Sequence, residues 1–171
     1  MTKESPSRPP IAKAKRRFYI VASRFNGQYV DGLVDHALGE LQALAPNATT
    51  AVHRVPGSFE IPIVVRELLA QCDPDAIIAC GVILQGETDH AQNLSRSVTD
   101  ALQRIAIEHG VPVINAVLSF DNENQARARC LENKINRGTE AARAAVEIAN
   151  VLSEVRSKQG AVVSKPPRED G

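Results

Sequence analysis

Residues 76–90 read AIIACGVILQGETDH. The first nine, Ala76–Leu84, are apolar nearly throughout and rich in β-branched side chains, as a strand covered on both faces must be. Polarity takes over at Gln85. Beyond the turn, Leu94, Val98, Ala101, Leu102 and Ile105 recur at helical spacing, and Gly110 and Pro112 close the pattern. A buried strand that feeds a helix through a short polar turn is the repeating unit of a parallel sheet.

The unit recurs on both sides. Phe18–Ala22 (FYIVA), Thr49–Val55 (TTAVHRV) and Val111–Leu118 (VPVINAVL) read as three more strands, the mixed Thr49–Val55 belonging at a sheet edge. Helical patterns fill the gaps. Val30, Leu33, Val34, Ala37, Leu38, Leu41 and Leu44 form one face after Asn26, and Ile63, Val64, Leu68 and Leu69 follow Pro62. A shorter helix is expected over Glu123–Leu131, and a last one from about Gly138, with Ala142, Ala145, Val146, Ala149 and Leu152 on one side. The expected fold is α/β: a flavodoxin-like three-layer sandwich with a central, mainly parallel four-stranded sheet flanked by helices.

Composition bounds the rest. The 171 residues, 43% hydrophobic and 23% charged, suit one ordinary domain and exclude wholesale disorder. Basic and acidic residues stand at 20 each, but unevenly. Lys3, Arg8, Lys13, Lys15, Arg16 and Arg17 against Glu4 give the first 17 residues +5, so the remaining 154 carry −5. That argues against a nucleic-acid-binding face. No apolar run reaches the roughly 18 residues of a membrane span, and the N-terminus has no apolar signal stretch, so no membrane partner and a cytoplasmic location are expected. Cys72, Cys80 and Cys130 are an odd count without CxxC spacing and read as buried, reduced thiols. The organisation expected is a flexible basic arm over 1–16, one domain over 17–156 and a flexible tail over 157–171, with no internal repeat.

Parallel sheets bind ligands outside the carboxyl ends of their strands, which directs attention to four loops. In Ser23–Asn26, Phe25 is either a flat face for a ring or a cap on the core, and Asn26 has the chemistry of a helix N-cap. In Val55–Pro62 (VPGSFEIP), Gly57 lets a ligand approach the backbone and two prolines stiffen it. Glu60 there either accepts from hydroxyl or amine groups or merely favours a helix dipole. In Gln85–His90, Gly86 and Thr88 open a helix whose free N–H groups suit a phosphate, provided that Glu87 and Asp89 turn away. Neither a GxxxxGK[ST] nor a GxGxxG loop is present. His90 is the one histidine at a strand-to-helix mouth, where an imidazole moves protons near neutral pH. His36 is read as exposed on its helix, His53 as lying on a strand face and His109 as closing a helix. After the fourth strand, Arg127 and Arg129 are both natural phosphate partners, and spacing does not choose between them. No metal-ligand spacing occurs, and Ser58 lacks the context of an acyl nucleophile.

In order, SRFN, VPGSFEIP, GVILQGETDH, PVINAVLSFDNENQARAR and NRGTEAA resemble the lumazine synthases, penultimate enzymes of riboflavin biosynthesis, over about Phe18 to Leu152. The resemblance implies condensation of 5-amino-6-(D-ribitylamino)uracil with 3,4-dihydroxy-2-butanone 4-phosphate to 6,7-dimethyl-8-ribityllumazine, phosphate and water, without metal or cofactor. Phe25 matches the aromatic that stacks on the pyrimidine. Ser58, Phe59, Glu60, Val82, Ile83 and Leu84 match its other contacts. Glu87 and Thr88 match the turn that holds the butanone phosphate, Arg129 its arginine, and His90 the proton-transfer histidine. The family implies a homo-oligomer, commonly built of pentamers, with sites between subunits. Asn115 stands where many relatives have phenylalanine, which makes that ring contact polar, and Gln85 replaces a frequent basic residue. Leu131–Asn136 departs from the GTKAGN pattern of shell-forming members, which favours a pentamer or decamer over a 60-mer. It leaves a second phosphate contact to Lys134 or Arg137.

Overall fold

The computed structural model describes residues 4–86 and 88–160. Strands β1 (Arg17–Ser23), β2 (Thr49–Val55), β3 (Ala76–Leu84) and β4 (Val113–Phe120) form one parallel sheet in the order β2-β1-β3-β4. Helices α1 (Gly27–Leu44), α2 (Ile61–Gln71), α3 (His90–His109), α4 (Glu123–Cys130) and α5 (Arg137–Gly160) cover its two faces, and a 3₁₀ turn over Ser58–Glu60 leads into α2. The expected α/β sandwich is therefore the fold. β4 starts two residues later than read, because Pro112 has no N–H for the ladder; its carbonyl instead accepts from Ile77 at 3.0 Å. α5 continues through Gly160, past the point where the tail was placed. No helix among the described residues is long and apolar enough to cross a membrane.

Strand periodicity sorts the core into two layers. From β3, Ile78, Cys80 and Val82 face Leu33, Leu41, Ala142 and Ala145 of α1 and α5. Ile77, Ala79 and Ile83 point the other way, against Ile61, Val65, Val98 and Leu102 of α2 and α3. All of β3 but Leu84 is buried, as its sequence demands. β4 is the second edge, and Asn115 on it is exposed.

Residues 4–16 form neither helix nor strand and lie along α1 and α5. Arg8 donates to both carboxylate oxygens of Glu40, at 2.9 and 3.0 Å. Arg143 donates to Glu40 Oε1 at 2.9 Å and to the carbonyl of Pro6 at 2.7 Å. Arg8, and secondarily Arg143, hold the Glu40 carboxyl below the usual carboxylate range against the opposing effect of burial. Of the three free thiols, Cys80 and Cys130 are buried as expected, whereas Cys72 is only half-buried. His36 is not the exposed residue its helical position suggested. It is half-buried, with its ring nitrogens each 2.8 Å from an oxygen, Gly32 O and Asn133 Oδ1. His53 lies on β2, its ring nearly perpendicular to that of Tyr19 with centroids 5.8 Å apart.

Candidate functional site

Three of the four strand ends converge on one cleft of about 550 Å³. Phe25 and Asn26 come from the end of β1, Gly57–Glu60 from the end of β2, and Val82, Ile83 and Leu84 from β3. His90, Ala91 and Leu94 line the side made by α3. Eight residues that the family resemblance assigns to the substrate or to proton transfer meet here: Phe25, Ser58, Phe59, Glu60, Val82, Ile83, Leu84 and His90.

Local structure explains the placement. Arg24 N donates to Val55 O at 2.8 Å and Phe25 N to Pro56 O at 3.1 Å, so β1 leaves the sheet clipped to the end of β2. Phe25 is 71% exposed, which disposes of the reading that it caps the core and leaves its ring presented to the cleft. Asn26 opens α1 but makes no side-chain cap; its amide is spent on Val82 O instead. Ser58 is buried, and it fits only because residue 81 is glycine: a Cβ there would stand 2.5 Å from Ser58 Oγ. Glu60 Oε2 accepts from Gly57 N at 2.9 Å, which closes the turn and leaves Phe59 pointing outward at 66% exposure. The carboxylate is thus engaged by the backbone of its own turn, a local role beyond the helix-dipole alternative read from the sequence, and it stands at the cleft wall. His90 is the first residue of α3 and is exposed, as are Thr88 and Gly86 before it. Glu87 lies outside the described residues.

The remaining candidates lie elsewhere on the chain. Arg129 is half-buried in a separate recess of about 480 Å³ with Phe120, Asn124, Gln125 and Ala128, while Arg127 is exposed and lines neither. Asn115 lines another recess with Arg137, Glu140, Ser119 and Phe120. Phe120 borders both, so Asn115, Arg137 and Arg129 lie along β4 and beyond its end, in recesses that neither Phe25 nor His90 lines. Asn115 is engaged, donating to Thr99 Oγ1 at 3.1 Å and accepting from Val117 N at 3.0 Å. Arg137 is paired with Glu140, and Lys134 is exposed. The candidate residues of one chain thus fall into separate recesses, eight of them in the cleft and Arg129 and Asn115 outside it. The one cleft residue whose role was misread is Asn26; its only sequence signal was an asparagine between a strand and a helix.

A parallel doubly wound sheet with an aromatic-walled cleft at its strand ends and a histidine at the mouth defines a small-molecule enzyme domain of the α/β class. The model of the 6,7-dimethyl-8-ribityllumazine synthase family matches residues 15–153. Proteins named 6,7-dimethyl-8-ribityllumazine synthase are similar over most of their length. The one from Leptothrix cholodnii is 40% identical over 140 residues, covering 81% of this chain and 88% of its own. The one from Methylibium petroleiphilum is 39% identical, covering 81% and 85%, and that from Stenotrophomonas maltophilia 37% identical, covering 81% and 90%. This chain belongs to the 6,7-dimethyl-8-ribityllumazine synthase family.

Proposed function

We propose that the chain condenses 5-amino-6-(D-ribitylamino)uracil with 3,4-dihydroxy-2-butanone 4-phosphate, releasing phosphate and water, as the 6,7-dimethyl-8-ribityllumazine synthase of riboflavin biosynthesis. Family membership supports the reaction; the convergence of Phe25, Ser58–Glu60, Val82–Leu84 and His90 on one cleft supports where it happens. Phe25 stacks on the pyrimidine, and the Ser58–Glu60 turn and the end of β3 hold its ribityl chain. Thr88, just before α3, receives the phosphate substrate where free N–H groups favour an anion, and the family resemblance assigns Glu87 to the same turn. His90 transfers protons as the amine adds to the ketone, as phosphate leaves and as the second ring closes. Much of the acceleration comes from holding two small molecules together.

Arg129 belongs to the same reaction from the other side. Its recess and the Phe25 cleft are separate in one chain, which supports an oligomer in which a neighbouring copy brings Arg129 and Asn115 to the cleft of the next. Arg137 suits the second basic contact better than Lys134, because Glu140 holds it beside Asn115. The Leu131–Asn136 segment favours a pentamer or decamer over a 60-mer. A cytoplasmic location follows from substrates that are polar and, in one case, phosphorylated.

The test is to mix the protein with both substrates and follow lumazine fluorescence and phosphate together. The expected result is equal release of both, well above the rate without protein. A rate no higher than that background overturns the proposal.

A further inference from the structure

Asn26, at φ 54° and ψ 40°, is the one described residue other than glycine with a positive φ. That conformation is disfavoured for L-residues, and asparagine is among the few that accept it. It does not cap α1. Its surroundings show what holds it there. β3 pairs with β1 only as far as Ala22↔Cys80, but with β4 as far as Leu84↔Phe120. Beyond Cys80 the β1 side of β3 therefore has no strand beside it, along the Val82–Leu84 segment that lines the cleft. Asn26 Nδ2 donates to Val82 O at 2.7 Å and stands in for the missing rung. A carbonyl only accepts, so chemistry fixes the amide with its nitrogen toward Val82.

We infer that Asn26 is a positioning residue: it sets the Phe25 ring at a fixed distance from the β3 end, so that the aromatic plate and the backbone at Val82–Leu84 form one binding surface for the pyrimidine. The inference rests on the synthase reading for its substrate. Phe25 N is tied to Pro56 O on one side, and Asn26 ties the next residue to β3 on the other. Phe25 is therefore held by its backbone while its ring stays open to a ligand. The phosphate end of the site is not part of this tie.

Two substitutions test it. Asn26→Gly keeps the left-handed turn without strain and deletes the donor. Asn26→Asp keeps the shape but sets a carboxylate oxygen against the carbonyl. The expected result is a KM for the ribitylaminouracil raised about 3- to 10-fold by Gly, the span of one net hydrogen bond, and further by Asp. The KM for the butanone phosphate stays within about twofold, and affinity for added 6,7-dimethyl-8-ribityllumazine falls by the same factor as the pyrimidine KM rises. Pyrimidine KM and lumazine affinity unmoved in both variants overturn the inference, as do both substrate KM values rising together. Should the unaltered protein bind lumazine but make none, the synthase reading fails, and lumazine affinity alone still decides the role of Asn26.

Discussion

Gly81→Ala is the substitution whose consequence the structure sets most directly. A Cβ at residue 81 meets Ser58 Oγ at 2.5 Å, about 1 Å inside an ordinary nonbonded contact, while Val117 Cγ1 at 3.3 Å and Ile61 Cδ1 at 3.4 Å close the other directions. Ser58 has little room to retreat. It is 7% exposed and begins a turn pinned by the Gly57–Glu60 hydrogen bond. Overpacking of this kind costs about 1–3 kcal/mol, and alanine in a strand returns roughly 0.5–1 kcal/mol over glycine. Taking the middle of each range, the net expectation is a loss of about 1–2 kcal/mol. For a chain of this size that lowers Tm by about 2–8 °C, and displacement of the Ser58 turn raises the pyrimidine KM as well. Removing the hydroxyl by Ser58→Ala in the same chain takes away the nearest clashing atom, so the double variant is expected to be more stable than Gly81→Ala alone, a coupling of about 1 kcal/mol. Thermal melts of the four members of this cycle, with pyrimidine KM values, measure it. Gly81→Ala melting with the unaltered protein, or Ser58→Ala failing to recover any of the loss, refutes the reasoning.

The other expectations are simpler. His90→Ala should lower kcat by about 10²–10⁴-fold yet leave residual turnover, with stability within about 0.5 kcal/mol because the residue is exposed; an unchanged kcat removes it from the mechanism. Arg129→Ala should raise chiefly the KM of the butanone phosphate. Reassembling it with His90→Ala subunits should recover activity that neither has alone, and no recovery argues against a site shared between copies. Glu40→Gln should lower Tm at pH 7. Because the folded carboxyl is held below its unfolded value, this contribution is present above about pH 4.3 and is lost as pH falls through the lower folded value, so the two melting curves converge in acid. A Tm gap constant with pH contradicts the clamp. A thiol reagent at pH 8 should modify Cys72 first, since burial pushes the thiols of Cys80 and Cys130 up to about 12; denaturant should expose all three.

What the sequence disclosed follows physical periodicity. β3 and α1 were legible because burial writes a continuous apolar run in one and a 3.6-residue stripe in the other. The strand-end rule then located the cleft. What stayed hidden depends on contacts between distant segments. Asparagine before a helix reads as a cap, and only the early end of β1 beside β3 shows why Asn26 is turned to Val82. Nothing in the sequence ties Gly81 to Ser58, and only the packed structure sets one against the other. Arg127 and Arg129 differ by two positions in one short helix, and only the helix's packing separates the exposed one from the half-buried one. His36 kept its secret because its partner Asn133 lies 97 residues away.

Few ionisable groups line the cleft of the proposed site. Glu60 is committed to its own turn, and His90 is the one histidine in the cleft. Such a site cannot rely on an array of acids and bases; its rate depends on how well two ligands are aimed at each other. In the proposed assembly that aim is a relation between two rigid bodies, the Phe25 cleft of one copy and the β4 end of the next. Each half is stiffened by its own chain. Asn26 ties the plate to β3, and the Arg137–Glu140 pair holds the ground beside Asn115. Phe25, Phe59 and Ile63, each more than 60% exposed in the single chain, supply apolar surface beside the cleft that a neighbouring copy would cover. Association would then complete the catalyst as well as bury that surface, since neither flank alone holds both the aromatic plate and Arg129.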